Sequence, residues 1–204
     1  MSDYESHLLA NRPRNLREAG LRGETGAGMD IRAVAFDFGH TLIDEQKDGT
    51  ISLESRPIHL MPGVSEVLPH ISIPPAVWAN TRTATGAELR RFLDRAGIGR
   101  FFAWVVTSVD AGFRKPGSGF FDFALSRCGL ARDQVLLVGN QLNTDVAGGQ
   151  QYGIRTVWLS GRAYRSADET LSPQHVHPTH TIRTLRELPS LPQRTRTHFP
   201  TSLR

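Results

Sequence analysis

From Asp30 onward the chain repeats one pattern: a short, almost wholly apolar run, a longer segment with helical spacing, then another apolar run. The runs fall at 33–38 (AVAFDF), 76–80 (AVWAN), 104–107 (WVVT), 135–139 (VLLVG) and 156–159 (TVWL). A strand that is apolar on both sides must be covered on both sides, which is the condition of a parallel sheet held between two helical layers. The intervening segments 64–71, 87–96, 120–128 and 144–152 have the spacing of helices. Three of them run out at Gly97, Gly129 and Gly153, the residue type expected just past a helix C-terminus. The alternation predicts a single three-layer α/β/α domain, Rossmann-like, around a parallel sheet. A short edge strand is expected at 179–182 and a last helical turn at 185–188.

The domain is expected to span 30–191. Residues 1–29 hold no sustained period, end in the glycine-rich GETGAGMD, and are expected to be a flexible leader, with Met29 as an alternative start. GETGAG precedes the first strand instead of following it, so it is not a dinucleotide loop. Residues 192–204 lack any core-forming pattern and are expected to be a disordered tail. No apolar stretch approaches the ~18 residues a membrane-spanning helix needs, and the N-terminus lacks the apolar centre of a secretory signal. Cys128 is the single cysteine, which rules out an internal disulfide and makes a cytoplasmic location the simplest expectation. The net charge is +4, with Lys47 and Lys115 as the two lysines and arginine as the rest of the basic set. No basic cluster interleaves with aromatics, so a nucleic-acid partner is not expected.

In a doubly wound sheet, ligands sit at the carboxyl ends of the strands. Those ends carry Asp37, Asn80, Lys115 and Asn140, with Asp145 close behind. In sequence they read Asp37-Phe38-Gly39-His40-Thr41-Leu42, Trp78-Ala79-Asn80-Thr81, Arg114-Lys115-Pro116, and Gly139-Asn140 followed by Asp145. In order, spacing and flanks, this set resembles the four motifs of the haloacid dehalogenase (HAD) superfamily, over residues 31–188. The resemblance implies a Mg²⁺-dependent phosphatase working through an aspartyl-phosphate on Asp37. It implies Mg²⁺ held by Asp37, the Gly39 carbonyl, and Asn140 or Asp145. It implies Lys115 as the neutralising cation, with Asn80, Thr81 and His40 facing the substrate. The chemistry is coherent: a carboxylate attacking a phosphoryl group meets like-charge repulsion, and a divalent cation offsets it.

Three positions depart from the pattern. Gly39 stands where the family has a second aspartate, which protonates the leaving group and later activates water; losing such assistance lowers rates ~10²–10⁴-fold. Ala79 replaces a phosphate-binding hydroxyl, leaving Thr81 as the neighbour within reach of the same oxygen. Asn140 replaces a carboxylate and weakens the metal site. Gly39→Asp is therefore expected to raise turnover of alkyl phosphates, and Asn140→Asp to lower the Mg²⁺ requirement. His40 adjoins the gap, but the next position along a strand points away, so it is expected to pack or hydrogen-bond within its loop. The alternative is a weak or inactive HAD-like module that binds a phosphorylated ligand or a protein.

Asp37 and Asn80 lie 43 positions apart, and Asn80 and Lys115 lie 35 apart. By resemblance, neither interval has room for a cap domain. Residues 44–55, with an Asp48-Gly49 turn, suggest a small flap hairpin. An open site of this kind suits bulky or macromolecular phosphorylated substrates, or closure by a second subunit in a homo-oligomer. Asp37-Phe38-Gly39 also spells the kinase magnesium triplet, but no accompanying kinase motif is present. His175, His177 and His180 fall in the proline-broken SPQHVHPTHT, which favours an exposed loop over a metal cluster. Cys128 lies on the apolar side of its helix and is expected to pack.

Overall fold

The computed structural model describes residues 30–45, 52–161 and 176–190. Its strands are β1 (Ala33–Phe36), β2 (Pro75–Ala79), β3 (Trp104–Thr107), β4 (Val135–Gly139), β5 (Arg155–Leu159) and β6 (His180–Ile182). They form one six-stranded sheet in the order β3-β2-β1-β4-β5-β6, with every neighbouring pair parallel. The chain builds outward from β1 through β2 to β3, then returns to lay β4 on the other side of β1. The reversal opens a crevice between the carboxyl ends of β1 and β4, the place where open α/β sheets bind ligands.

Alternation along the strands divides the interior in two. Val34, Phe36, Val77, Leu136 and Val138 point into one core with Leu89, Phe92 and Leu93, which belong to α2 (Gly86–Arg95). Ala35, Ala76, Trp78, Val135 and Leu137 point into the other with Phe120, Phe121 and Ala124, which belong to α4 (Ser118–Cys128). Both faces of the central strands are thus covered by helices, which is why those strands carry so few polar residues.

The helices depart from expectation where a specific local bond overrides periodicity. α1 (Val64–Val67) gives way to a 3₁₀ turn at Leu68–His70; Pro69 in that turn has no N–H to continue an α-helical ladder. α2 starts with a capping box in which the Thr85 hydroxyl accepts from Glu88 N–H at 3.3 Å and Glu88 Oε2 accepts from Thr85 N–H at 2.7 Å. The short α3 (Ser108–Ala111), too brief to show a period, is capped by Thr107 and stopped by Gly112. The expected 144–152 helix instead begins as a π-turn over Leu142–Ala147, followed by α5 (Gly148–Gln151). Gly97, Gly129 and Gly153 have φ of 75°, 65° and 83°, the left-handed conformation expected of helix-ending glycines.

Ile43 bridges Leu60 antiparallel, with Asp44 N–H donating to His59 O at 2.8 Å and Met61 N–H to Leu42 O at 2.9 Å. These bonds close the base of the segment that contains the expected flap. The Asp48-Gly49 turn, the leader 1–29, His175 and the tail 192–204 lie outside the described residues. No helix among the described residues is long and apolar enough to cross a membrane.

Candidate active site

The crevice between β1 and β4 is built around Lys115. Its side chain is 1% exposed, and its ammonium donates to Asp37 Oδ1, Asp145 Oδ1 and the Trp78 carbonyl, each at 2.7 Å. An ammonium has three protons, and here each has an acceptor. The backbone of Lys115 is held as firmly. Asn80 Oδ1 accepts its N–H at 2.8 Å, and Asn80 Nδ2 donates to its carbonyl at 2.9 Å.

Asp37 follows β1 directly, and its N–H donates to Val138 O at 2.8 Å, extending the β1–β4 pairing to the carboxylate itself. Asp145 enters from the π-turn. Its Oδ2 accepts from Gln141 N–H at 3.1 Å, while Gln141 O accepts from the N–H groups of Asp145 at 3.1 Å and Val146 at 3.2 Å. The five-residue bond from Val146 to Gln141 is the π-type one, and π-turns recur at functional sites. The turn brings Asp145 so close to β4 that a Cβ at Gly139 would lie 2.3 Å from Asp145 Oδ2. Only glycine fits there.

Thr41 is fully buried, with its hydroxyl 3.2 Å from Asn140 Oδ1 and 3.5 Å from Asp37 Oδ2. The Asn140 carbonyl accepts from Trp158 Nε1 at 3.1 Å. Burial works against the Lys115 ammonium, but the adjacent carboxylates of Asp145 and Asp37 outweigh it and hold Lys115 above its ordinary pKa. Burial, and then the charge of Asp37, pushes Asp145 up to about 6 against the pull of Lys115. With all three ionised, the cluster holds two anions and one cation, so one negative charge is uncompensated.

The rim is different in kind. His40 has φ of 53°, in the left-handed region, and its Nδ1 lies 3.7 Å from Asp44 Oδ1. Glu45 folds back over Gly39: a Cβ at position 39 would lie 2.6 Å from Glu45 Oε2 and 2.8 Å from its Cδ. Glu45 Oε1 is 3.5 Å from Arg56 Nη1. Burial, and then the charge of Asp37, raises the pKa of Glu45, with Arg56 and His40 opposing.

Asp37, Lys115, Asn140 and Asp145, picked from strand ends, thus come together in one cluster. Asn80 and Thr81 are both bonded within the protein. Both ends of the Asn80 amide bond the Lys115 backbone, so it positions the lysine. The Thr81 hydroxyl donates to Ala84 O at 2.7 Å and its N–H to Ser108 Oγ at 3.0 Å, so its proton is engaged within the loop and is not directed at a phosphate. Ala79 is the buried last residue of β2. An aspartate at position 39 would have to displace the end of the Glu45 side chain. Three contributors escaped the sequence: Thr41, although it stands in the first motif; the Trp78 carbonyl, which no side-chain pattern reveals; and Glu45. Cys128 is buried, and burial pushes its thiol up to about 11, the state of a packing residue.

A family profile described as HAD-hydrolase-like matches residues 112–188, the stretch that holds Lys115, Asn140 and Asp145. Among curated relatives, the pyrimidine 5'-nucleotidase YjjG of Escherichia coli strain K12 is 35% identical over 100 residues, 48% of this chain and 42% of that protein. These matches support the HAD-like hydrolase superfamily. The glyceraldehyde 3-phosphate phosphatase of Methanothermobacter thermautotrophicus is 40% identical over 68 residues, 33% of this chain and 30% of that protein. Each match spans less than half of the relative's own length. Among solved structures, that of the Bacillus subtilis protein YfnB, bound to magnesium, superimposes with a TM-score of 0.61 at 17% identity, covering 78% of this chain and 97% of that one. At that identity the likeness is one of fold.

Proposed function

We propose that this chain is a Mg²⁺-dependent HAD-type phosphohydrolase that forms an aspartyl-phosphate on Asp37. The observation that carries the proposal is the Asp37–Lys115 pair, 2.7 Å apart at the topological switch of the sheet. Lys115 draws charge from one Asp37 oxygen and fixes the carboxylate's direction, while the other oxygen faces Thr41 and the crevice. The names of the relatives, a nucleotidase and a phosphatase, support a phosphate ester as the substrate class.

The residues fit Mg²⁺. Their donors are oxygens throughout: the Asp37 carboxylate, the Asn140 amide oxygen joined to it through Thr41, and the Gly39 carbonyl. The uncompensated negative charge of the cluster suits a cation. Asp145, with its oxygens bonded to Lys115 and to the Gln141 N–H, fits a supporting position better than direct ligation. When bound, Mg²⁺ offsets the repulsion between Asp37 and the phosphoryl oxygens. Asn140, neutral where a carboxylate would add charge, makes the required Mg²⁺ concentration high.

The 43-position interval between Asp37 and Asn80 supports a site without a cap domain, open to bulky or macromolecular phosphate esters or to closure by a second copy of the chain. A screen of phosphate esters with Mg²⁺, Mn²⁺ and Co²⁺, run beside Asp37→Asn, tests the reading. Metal-dependent turnover that vanishes in Asp37→Asn, with an acid-stable phosphoenzyme in the parent only, is the expected result. Turnover unchanged in Asp37→Asn would overturn the aspartyl-phosphate. Phosphate binding with no turnover under any metal would favour the binding-module alternative, to which Ala79 and Asn140 already lean.

A further inference from the structure

Transfer of a phosphoryl group from an alkyl ester to Asp37 expels an alkoxide, which needs a proton in the transition state. Around the crevice, Asp37 and Asp145 both accept hydrogen bonds from the Lys115 ammonium at 2.7 Å, so both carboxylates are engaged with the lysine. Asp44 is half-exposed and faces His40. Glu45 remains. Its Oε2 lies 2.6 Å from where the β-carbon of residue 39 would be, which is close to the distance of a carboxylate oxygen from its own β-carbon in an aspartate. The space beside Gly39, two residues from the nucleophile, is therefore occupied by a carboxyl group delivered from residue 45.

Building on the phosphatase reading, we infer that Glu45 is the general acid and base of this site and fits it to phosphate monoesters with alkoxide leaving groups. In the first step an Asp37 oxygen bonds to phosphorus and the bond from phosphorus to the ester oxygen breaks. The Glu45 carboxyl gives its proton to that oxygen, so an alcohol departs and Glu45 is left as a carboxylate. In the second step water attacks the phosphorus, Glu45 takes its proton, and the Asp37–phosphorus bond breaks. Phosphate leaves, and Asp37 and Glu45 return to their starting states. On this account a side chain at position 39 has to push the Glu45 carboxyl aside.

The full-length chain and its Glu45→Gln variant, compared on 4-nitrophenyl phosphate and glycerol 3-phosphate by rapid mixing, test the inference. Glutamine keeps the shape but cannot exchange a proton, so glycerol phosphate turnover should fall ~10²–10⁴-fold. With 4-nitrophenyl phosphate, whose leaving group needs no proton, the variant should release one equivalent of nitrophenolate in a burst and then stall as phosphoenzyme. A second arm moves the carboxyl. Gly39→Asp alone should give no gain, because Glu45 already supplies the carboxyl, whereas Gly39→Asp combined with Glu45→Ala should restore glycerol phosphate turnover to within ~10-fold of the parent. Glycerol phosphate turnover in Glu45→Gln within ~3-fold of the parent, or equal losses on both substrates without a burst, would overturn the role of Glu45 alone. A parent chain inactive on both esters would overturn the phosphatase reading and this inference with it.

Discussion

The floor and the rim of the crevice are built by opposite means. On the floor, Lys115 makes three bonds of 2.7 Å inside a region closed to solvent, and each partner is fixed by a strand end or the π-turn. At the rim, Glu45 and Arg56 are 3.5 Å apart and His40 and Asp44 3.7 Å apart, both pairs partly exposed. The floor has been desolvated in advance and holds fixed charges where they act most strongly. On the proposed mechanism the rim carries the groups that change protonation state or meet the substrate, and those need water and room.

That contrast is open to direct attack. The largest effect should come from Lys115→Met, which leaves Asp37 and Asp145 buried without a counter-charge and should cost about 3–5 kcal/mol of stability. Glu45→Gln at the rim should stay within about 0.5 kcal/mol. Urea unfolding of both variants measures the difference, and equal values would erase the distinction. Gly139→Ala comes next, at about 1–3 kcal/mol, because its methyl would displace Asp145 from its place against β4; the same unfolding curves report it.

A smaller effect concerns pH. Asp145 has its pKa pushed up to about 6 in the fold, above the ~3.9 of an unfolded chain. A carboxyl raised by folding adds stability below its unfolded pKa and loses it as pH rises through the folded one. In metal-free protein, stability should therefore carry a downward contribution from about pH 4 to 6 that Asp145→Asn removes. Unfolding midpoints across that range would show it, and parallel profiles for parent and variant would place the strain elsewhere. The smallest change should be Asp44→Asn, which loses a half-exposed contact to His40 and should shift stability by less than about 0.5 kcal/mol.

The sheet and the strand-end part of the site were legible in the sequence because both rest on strands. Apolar runs buried on two faces announce themselves, and the first polar residue after each run stands at the crevice: Asp37 after β1, Asn80 after β2, Asn140 after β4. Glycines at 97, 129 and 153 marked helix ends because left-handed φ narrows the choice of residue. What stayed hidden was what tertiary geometry alone decides. That the Asn80 amide bonds the Lys115 backbone is invisible in the sequence. Glu45 carries no local signal, since only the fold brings residue 45 over residue 39. The π-turn escaped because its bonds, from the Asp145 and Val146 N–H groups to Gln141 O, leave no mark on the periodicity.

The way Lys115 is held has one more consequence. Its backbone is bonded to the side chain of Asn80, and its ammonium to the carbonyl of Trp78, so both ends of the lysine take their position from the end of one strand. A shift of the helices around β2 cannot tilt the lysine without breaking bonds at one end or the other. A drift of the strand carries both ends along together. Where Lys115 aims its charge is thus decided by the relation between β2 and its neighbour β1, and the outer layers can breathe, or be redesigned, without turning that aim.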